Sequence, residues 1–334
     1  MATPAILVIG PSWIGDMVMA QSLFMTLKRR RPEVMIDVVA PAWSLPVIAR
    51  MPEIREAIVS PTEHGEFALG KRRRLGQSLR ERHYQQSIVL PRSFKAALVP
   101  WFAKVPLRTG FRGEMRYGFL NDIRDLDKRV LDQTVKRFVA LGLDRGEVPK
   151  ALPFPVLHSS TLQQEKARAE LALNDERPAV ALMPGAEYGP AKCWPLTHFA
   201  ELAVGLDKAG FAVWILGSGK DRAAGEHIAA NSPAINLCGR TGLEQAIDLL
   251  AYCSHAVSND SGLMHVAAAV GIPVVAIYGS TSPGFTPPLT SKAAIQYLGL
   301  ECSPCFRREC PLGHLRCLTE IQPATILAVI KGDT

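Results

Sequence analysis

Short apolar runs alternate with longer stretches of mixed polarity along almost the whole chain. In the first half the runs are "AILVIG" (5–10), "VMIDVVAP" (34–41), "EAIVSP" (56–61), "QSIVLP" (86–91) and "LRTGF" (107–111). Between them lie helix-length segments such as "IGDMVMAQSLFMTLKRRR" (14–31) and "RSFKAALVPWFAK" (92–104). Continuous β-branched runs separated by such segments predict a parallel sheet covered on both faces. The rhythm pauses at "GEVPKALPFPVLH" (146–158), where three prolines and no periodicity predict a linker. It then resumes with "AVALMPG", "FAVWILGSG", "AINLCG", "HAVSND" and "PVVAIYG" as strands and "WPLTHFAELAVGLDKAG", "KDRAAGEHIAAN", "LEQAIDLLAYC" and "GLMHVAAAVG" as helices. The expected fold is α/β: two doubly wound, Rossmann-like domains, residues 1–150 and 151–334, facing each other across a cleft at the carboxyl ends of their strands.

Composition supports two real cores, with 48% hydrophobic and 21% charged residues in 334 and no low-complexity tract. The start, "MATPAILVIG", has no basic leader ahead of an apolar run, and no window holds 18 uncharged apolar residues, so a cytoplasmic protein is expected. Charge divides unevenly. Residues 1–150 carry 25 Lys and Arg against 15 Asp and Glu, a balance of +10, whereas residues 151–334 carry 13 against 16, a balance of −3. A basic first half points to an acidic partner: nucleic acid, an anionic membrane or a phosphorylated substrate. The plainer alternative is that Lys28–Arg31 and Lys71–Arg74 are solvated helix faces.

Four turns in the second half gather polar chemistry. "NDSG" (259–262) falls between a strand and a helix, where free amides and the positive end of the helix dipole favour an anion. Its alternative reading is a pair of caps, Asp260 and Ser261, on a buried helix. "GSGKD" (217–221), "PGAEYGPAKCWP" (184–195) and "YGSTSP" (278–283) also follow strands, so all four turns project from one sheet edge. They offer Lys192 and Lys220 for phosphate charge, Gly217 and Gly219 for close backbone approach, and Asp221 for a ribose hydroxyl. That inventory suits a sugar nucleotide or another nucleoside diphosphate.

In the first half, "GPSWIGD" (10–16) lacks dinucleotide spacing and puts Asp16 and Met17 where a P-loop needs Lys and Ser or Thr. A carboxylate repels phosphate, yet one placed at a strand's carboxyl end and a helix start suits a general base that deprotonates a sugar hydroxyl as a diphosphate leaves. The alternative is an ordinary acidic residue in a first helical turn.

Taken together, "GPSWIGDMVMAQSL", "LPRSFKAALVP", "RTGFRGEMRYGFLNDIR", "PGAEYGPAKCWP" and "SNDSGLMHVAAAVGIPVVAIYGSTSP" resemble the ADP-heptose:lipopolysaccharide heptosyltransferases of glycosyltransferase family 9, from about residue 5 to residue 320. The resemblance implies a GT-B fold and inverting transfer of L-glycero-D-manno-heptose from ADP-heptose to the first heptose of the lipopolysaccharide inner core, with no cofactor or metal required for catalysis. It implies Asp16 as base. Donor contacts would come from Lys192, Gly217, Ser218, Lys220, Asp221, Asn259, Asp260, Ser261, Gly262 and His265, and acceptor contacts from Ser93 and Lys95, with Arg92 departing from the family's usual Asn. Arg112 and Arg116, in a Gly-containing loop, are further expected contacts to acceptor phosphate or carboxylate. The first domain would then bind the acceptor and the second ADP-heptose.

A strongly anionic, membrane-anchored acceptor would give the basic first half its use, with the enzyme peripheral at the inner face of the inner membrane. Trp101 and Phe102, beside Lys104 and Arg108, suggest either a shallow membrane contact or, as the favoured reading, a buried helix and strand. Rival functions are another GT-B enzyme with a different donor or acceptor, and a non-catalytic nucleotide- or nucleic-acid-binding protein. Nucleic acid is not expected, since "KRRRLGQSLRERHYQQS" interleaves a single aromatic, Tyr84, with its charges. Lastly, Cys302, Cys305, Cys310 and Cys317 within 16 residues form either a structural zinc or iron site or a group of reduced thiols.

Overall fold

The structure, a computed structural model, describes residues 4–63 and 65–332. The chain divides into two compact units between Pro155 and Val156. The division falls beyond the prolines of the linker because the preceding segment is fastened to the first unit: the buried Ser22 hydroxyl donates to the Pro153 carbonyl at 2.6 Å.

In the first unit six strands, β1 (Ala5–Ile9), β2 (Met35–Ala40), β3 (Glu56–Val59), β4 (Gln86–Val89), β5 (Leu107–Phe111) and β6 (Asp122–Arg124), form one sheet in the order β3-β2-β1-β4-β5-β6. Every pairing is parallel. All five residues of β1 are buried, as the uninterrupted apolar run "AILVI" requires of a central strand with helices on both faces. The helix Ile14–Arg30 carries the chain from β1 back to β2 and buries Met17, Val18, Leu23, Phe24 and Leu27. Its last turn is solvated, and Arg30 there pairs with Asp144 and Glu147. In the basic run 71–74, Lys71, Arg73 and Arg74 are likewise exposed, whereas Arg72 is buried and donates to the carbonyls of Glu66 and Phe67 and to the Thr62 hydroxyl.

The second unit repeats the plan with β7 (Ala179–Met183), β8 (Ala212–Ile215), β9 (Ile235–Asn236), β10 (His255–Asn259), β11 (Val274–Ile277) and β12 (Ala293–Gln296), in the order β12-β11-β10-β7-β8-β9. These pairings too are all parallel. Its core is built on the fully buried Trp194, Trp214 and Phe199. The Trp194 indole N–H donates to the Ile321 carbonyl at 2.9 Å, which ties the C-terminal helix Pro323–Lys331 to the loop before the helix Leu196–Lys208.

In both units the strand order reverses direction between the first and fourth strands, β1/β4 and β7/β10. At such a switch point the loops leaving the two strands splay apart at the carboxyl edge and open a crevice. Asp16 follows β1 and the Ser93 loop follows β4, while Lys192 follows β7 and "NDSG" follows β10. Among the described residues, no helix is long and apolar enough to cross a membrane.

Candidate active site

Lys192 and Asp260 meet at the second switch point. The Lys192 ammonium lies 2.6 Å from the Asp260 carboxylate and 3.1 Å from the Asp260 carbonyl. Asp260 is 5% exposed, and the same carboxylate oxygen accepts the Thr281 hydroxyl at 2.6 Å. An acidic residue beside an expected diphosphate is thereby explained: it is neutralised by a lysine and held by a threonine. Asp260 does not cap the helix Gly262–Ala269. Ser261 stands at the N-cap, and it makes no capping bond either; its hydroxyl faces that of Ser258 at 3.1 Å. The first-turn amides therefore open toward the crevice without a side-chain cap, beside an ammonium group, which is an arrangement suited to anionic oxygens.

Asn259 serves a different purpose from a ligand contact. Its fully buried amide accepts from the Trp194 N–H at 3.0 Å and donates to the Pro184 carbonyl at 2.6 Å, fastening the Lys192 loop to the end of β10 at both of its ends.

His265, one turn into the helix, is buried, and burial pushes its pKa down to about 4. The folded chain holds this imidazole neutral, whereas an unfolded histidine titrates near 6.5. Stability from this residue is complete above about pH 6.5 and is lost as pH falls toward about 4, by on the order of 3 kcal/mol. Urea unfolding at pH 7.5 and 4.5 should show a smaller pH difference for His265→Gln than for the native chain. Equal differences would remove His265 from the acid lability.

The "GSGKD" turn is mostly engaged with itself. The Asp221 carboxylate accepts from the Ser218 N–H at 2.7 Å and hydroxyl at 2.8 Å, closing the short 3₁₀ turn Gly219–Asp221. Gly217 lacks a side chain for a local reason, since a Cβ there would lie 2.8 Å from that of Asp221. Gly219, by contrast, has open space around it. Lys220 is exposed and paired with Glu187 at 2.9 Å.

In the first unit Asp16 is half-buried in the first turn of its helix, at the β1/β4 switch. The Trp43 indole donates to the Ser12 carbonyl at 2.9 Å and braces the loop that presents it. Ser93 and Lys95 follow β4, where the Phe94 N–H donates to Glu114 at 2.6 Å. Arg112 is exposed and pairs with Asp125 at 2.8 Å. Arg116 is turned inward, contrary to the expectation of an acceptor contact. Only 1% exposed, it donates to the carbonyls of Pro91, Ser93 and Phe111, and burial pushes its pKa down to about 10. It is a brace beneath the Ser93 loop.

One other expectation changes. Trp101 is 43% exposed rather than buried. It stacks into a surface chain of aromatics running Phe67, Phe94, Phe119, Trp101, Phe102, with successive ring centroids 4.9–6.4 Å apart. The four clustered cysteines carry free thiols, and among the described residues no three His, Cys, Asp or Glu side chains form a group able to hold a metal ion.

Residues that the sequence did not single out complete the site: Thr281, which holds Asp260, and Tyr188, whose ring centroid lies 5.5 Å from the Lys192 ammonium. Both lie in turns flagged by position after a strand. Nothing in the one-dimensional pattern marks them within those turns.

Two parallel doubly wound sheets, each with polar loops at its switch point, are the two-domain architecture of the GT-B glycosyltransferases. The chain belongs to glycosyltransferase family 9, the heptosyltransferases, whose family model matches residues 72–316. Over 334 residues it is 49% identical to the lipopolysaccharide heptosyltransferase 2 of Salmonella typhimurium, covering 96% of each chain. Over 339 residues it is 48% identical to lipopolysaccharide heptosyltransferase 2 of Escherichia coli K12, covering 98% of this chain and 97% of that one. The solved structure of the E. coli ADP-heptose lipopolysaccharide heptosyltransferase II superposes with a TM-score of 0.88 at 46% identity, over 98% of this chain and 99% of that chain.

Proposed function

We propose that this glycosyltransferase moves L-glycero-D-manno-heptose from ADP-heptose to the first heptose of the lipopolysaccharide inner core, with inversion at the transferred anomeric carbon. The observation that carries the reading is the Lys192–Asp260 pair beside the uncapped start of the helix Gly262–Ala269, at the switch point of the second sheet. Near full-length identity of 49% to a lipopolysaccharide heptosyltransferase 2 supports the choice of sugar and acceptor. On this reading the second unit binds the donor. Lys192 and the amides of residues 261 and 262 take the diphosphate, where developing negative charge is stabilised by groups already in place. Asp260 and Thr281 orient Lys192, Asn259 fixes its loop, and Lys220 and Asp221 border the nucleoside.

The first unit binds the acceptor. Asp16 takes the proton from the attacking hydroxyl as its oxygen bonds to the anomeric carbon and the carbon–oxygen bond to the diphosphate breaks. ADP departs with that electron pair. Base and leaving-group stabilisation are both supplied by this chain, so no cofactor enters the scheme. Ser93, Lys95 and Arg112 contact the acceptor, with Arg116 holding the loop from below. The direct test is incubation with ADP-heptose and heptosyl-Kdo2-lipid A followed by mass analysis. One added heptose is expected; an unchanged acceptor mass would refute the assignment.

The same reading puts the enzyme at the cytoplasmic membrane face, where its acceptor is anchored. The exposed Phe67 and Trp101 of the aromatic chain, Met115 (83% exposed) and the +10 balance of residues 1–150 suit an anionic interface. Co-sedimentation with anionic phospholipid vesicles should be lost at high salt and reduced in a Trp101→Ala, Met115→Ala variant. Equal binding to zwitterionic vesicles would argue against it.

A further inference from the structure

We propose that Arg308 is a positioning residue for the donor site, acting through Tyr188 and the loop that carries Lys192. The inference rests on the reading of Lys192 as the cation of the donor diphosphate. Lys192 ends a short 3₁₀ turn, Pro190–Lys192, which is too brief to hold its own orientation. The turn is instead clasped from outside. The Ala191 N–H donates to the Arg308 carbonyl at 3.0 Å, and the Arg308 guanidinium donates to the Tyr188 carbonyl at 2.7 Å. The Tyr188 hydroxyl donates to the Phe306 carbonyl at 2.7 Å, the Phe306 N–H to the Ser280 carbonyl at 2.7 Å, and the Ser280 N–H to the Ala191 carbonyl at 3.2 Å. These bonds close a ring through three segments distant in sequence.

The ring reaches both halves of the charged pair. Ala191, tied at both of its backbone groups, directly precedes Lys192, and Ser280 directly precedes Thr281, which holds Asp260. The Tyr188 ring lies near both cations, its centroid 5.5 Å from the Lys192 ammonium and 5.9 Å from the Arg308 guanidinium. Gly189 leaves room for the clasp: its φ is 152°, and a Cβ there would lie 2.6 Å from the Arg308 carbonyl oxygen. Arg308 lies between Cys305 and Cys310, so the cysteine-rich segment gains a use that needs no bound ion.

The test compares ADP titration calorimetry and steady-state kinetics for Arg308→Ala, Arg308→Lys, Lys192→Ala and the double Arg308→Ala, Lys192→Ala variant. Losing one charge-assisted bond should weaken ADP roughly tenfold and raise donor KM in parallel, with kcat and acceptor KM changed less than about twofold. Arg308→Lys should recover part of the loss. In the Lys192→Ala background the Arg308→Ala change should add less than about twofold, the mark of a residue acting through Lys192. Unchanged ADP affinity in Arg308→Ala, or equal losses in both backgrounds, would overturn the inference. Should Arg308→Ala fail to fold, Tyr188→Phe removes only the bond to Phe306 and is read by the same criteria. ADP affinity indifferent to Lys192→Ala would instead bring down the donor-site reading itself.

Discussion

Asp16→Asn is expected to lower kcat by roughly 10²–10⁴-fold, the contribution of a positioned general base, while ADP affinity stays within about twofold of native. Asparagine matches aspartate in shape and is also well tolerated at a helix start, so the first turn of the helix Ile14–Arg30 should persist. What disappears is the ability to accept a proton from the acceptor hydroxyl. The charge–dipole part of any stability loss should be about 0.3–1 kcal/mol, and urea unfolding of the same variant checks that the fold persists. Initial rates at saturating donor and acceptor, with calorimetric ADP titration on the same samples, separate the two effects. Native turnover in Asp16→Asn would remove the residue from the mechanism.

Lys192→Ala should act twice. Donor affinity is expected to fall roughly 10–100-fold with the loss of charged hydrogen bonds to the diphosphate. Stability should also fall, by about 3 kcal/mol, because the Asp260 carboxylate stays buried, still accepting from Thr281 but without the ammonium that neutralises it. A second substitution tells these apart. Adding Asp260→Asn removes the uncompensated charge, so most of the stability should return while ADP affinity stays low. Urea unfolding and ADP titration of the single and double variants provide the measurements. Unchanged ADP affinity in Lys192→Ala would exclude it from the donor site.

Much of the fold can be read along the chain because each strand of a parallel sheet declares itself locally. "AILVI" and "AVALM" are apolar at every position since both faces of β1 and β7 are covered, and the segments between them have helix length. Weakly patterned elements are harder: β6 is three residues of "DIR" and β12 four residues of "AAIQ", neither with a fully buried position. Edge strands like these are defined by the neighbour they pair with rather than by their own composition.

The candidate site divides in the same way. Asp16, Lys192 and "NDSG" were legible because each follows a strand and opens a helix or turn, so position in the βα rhythm alone puts them on the carboxyl edge. The partners of those residues were not. Whether Asp260 caps a helix or pairs with a lysine depends on a residue 68 positions earlier, and whether Arg116 meets a ligand depends on carbonyls up to 25 positions away. Trp101 misled for a similar reason, since a short apolar helix reads the same whether its outer face meets protein or solvent.

The sequence by itself determined the two βα repeats, the positions of the turns and the charge imbalance between halves, because strand, helix and turn preferences act over a few neighbouring residues. Only the tertiary structure decided which side chains those turns bring together. Lys192 with Asp260, Asp260 with Thr281, and Tyr188 with Phe306 and Arg308 meet across separations of 21 to 120 residues. Such contacts follow from the order in which parallel strands stack, and the one-dimensional spacing of the residues carries no trace of that order.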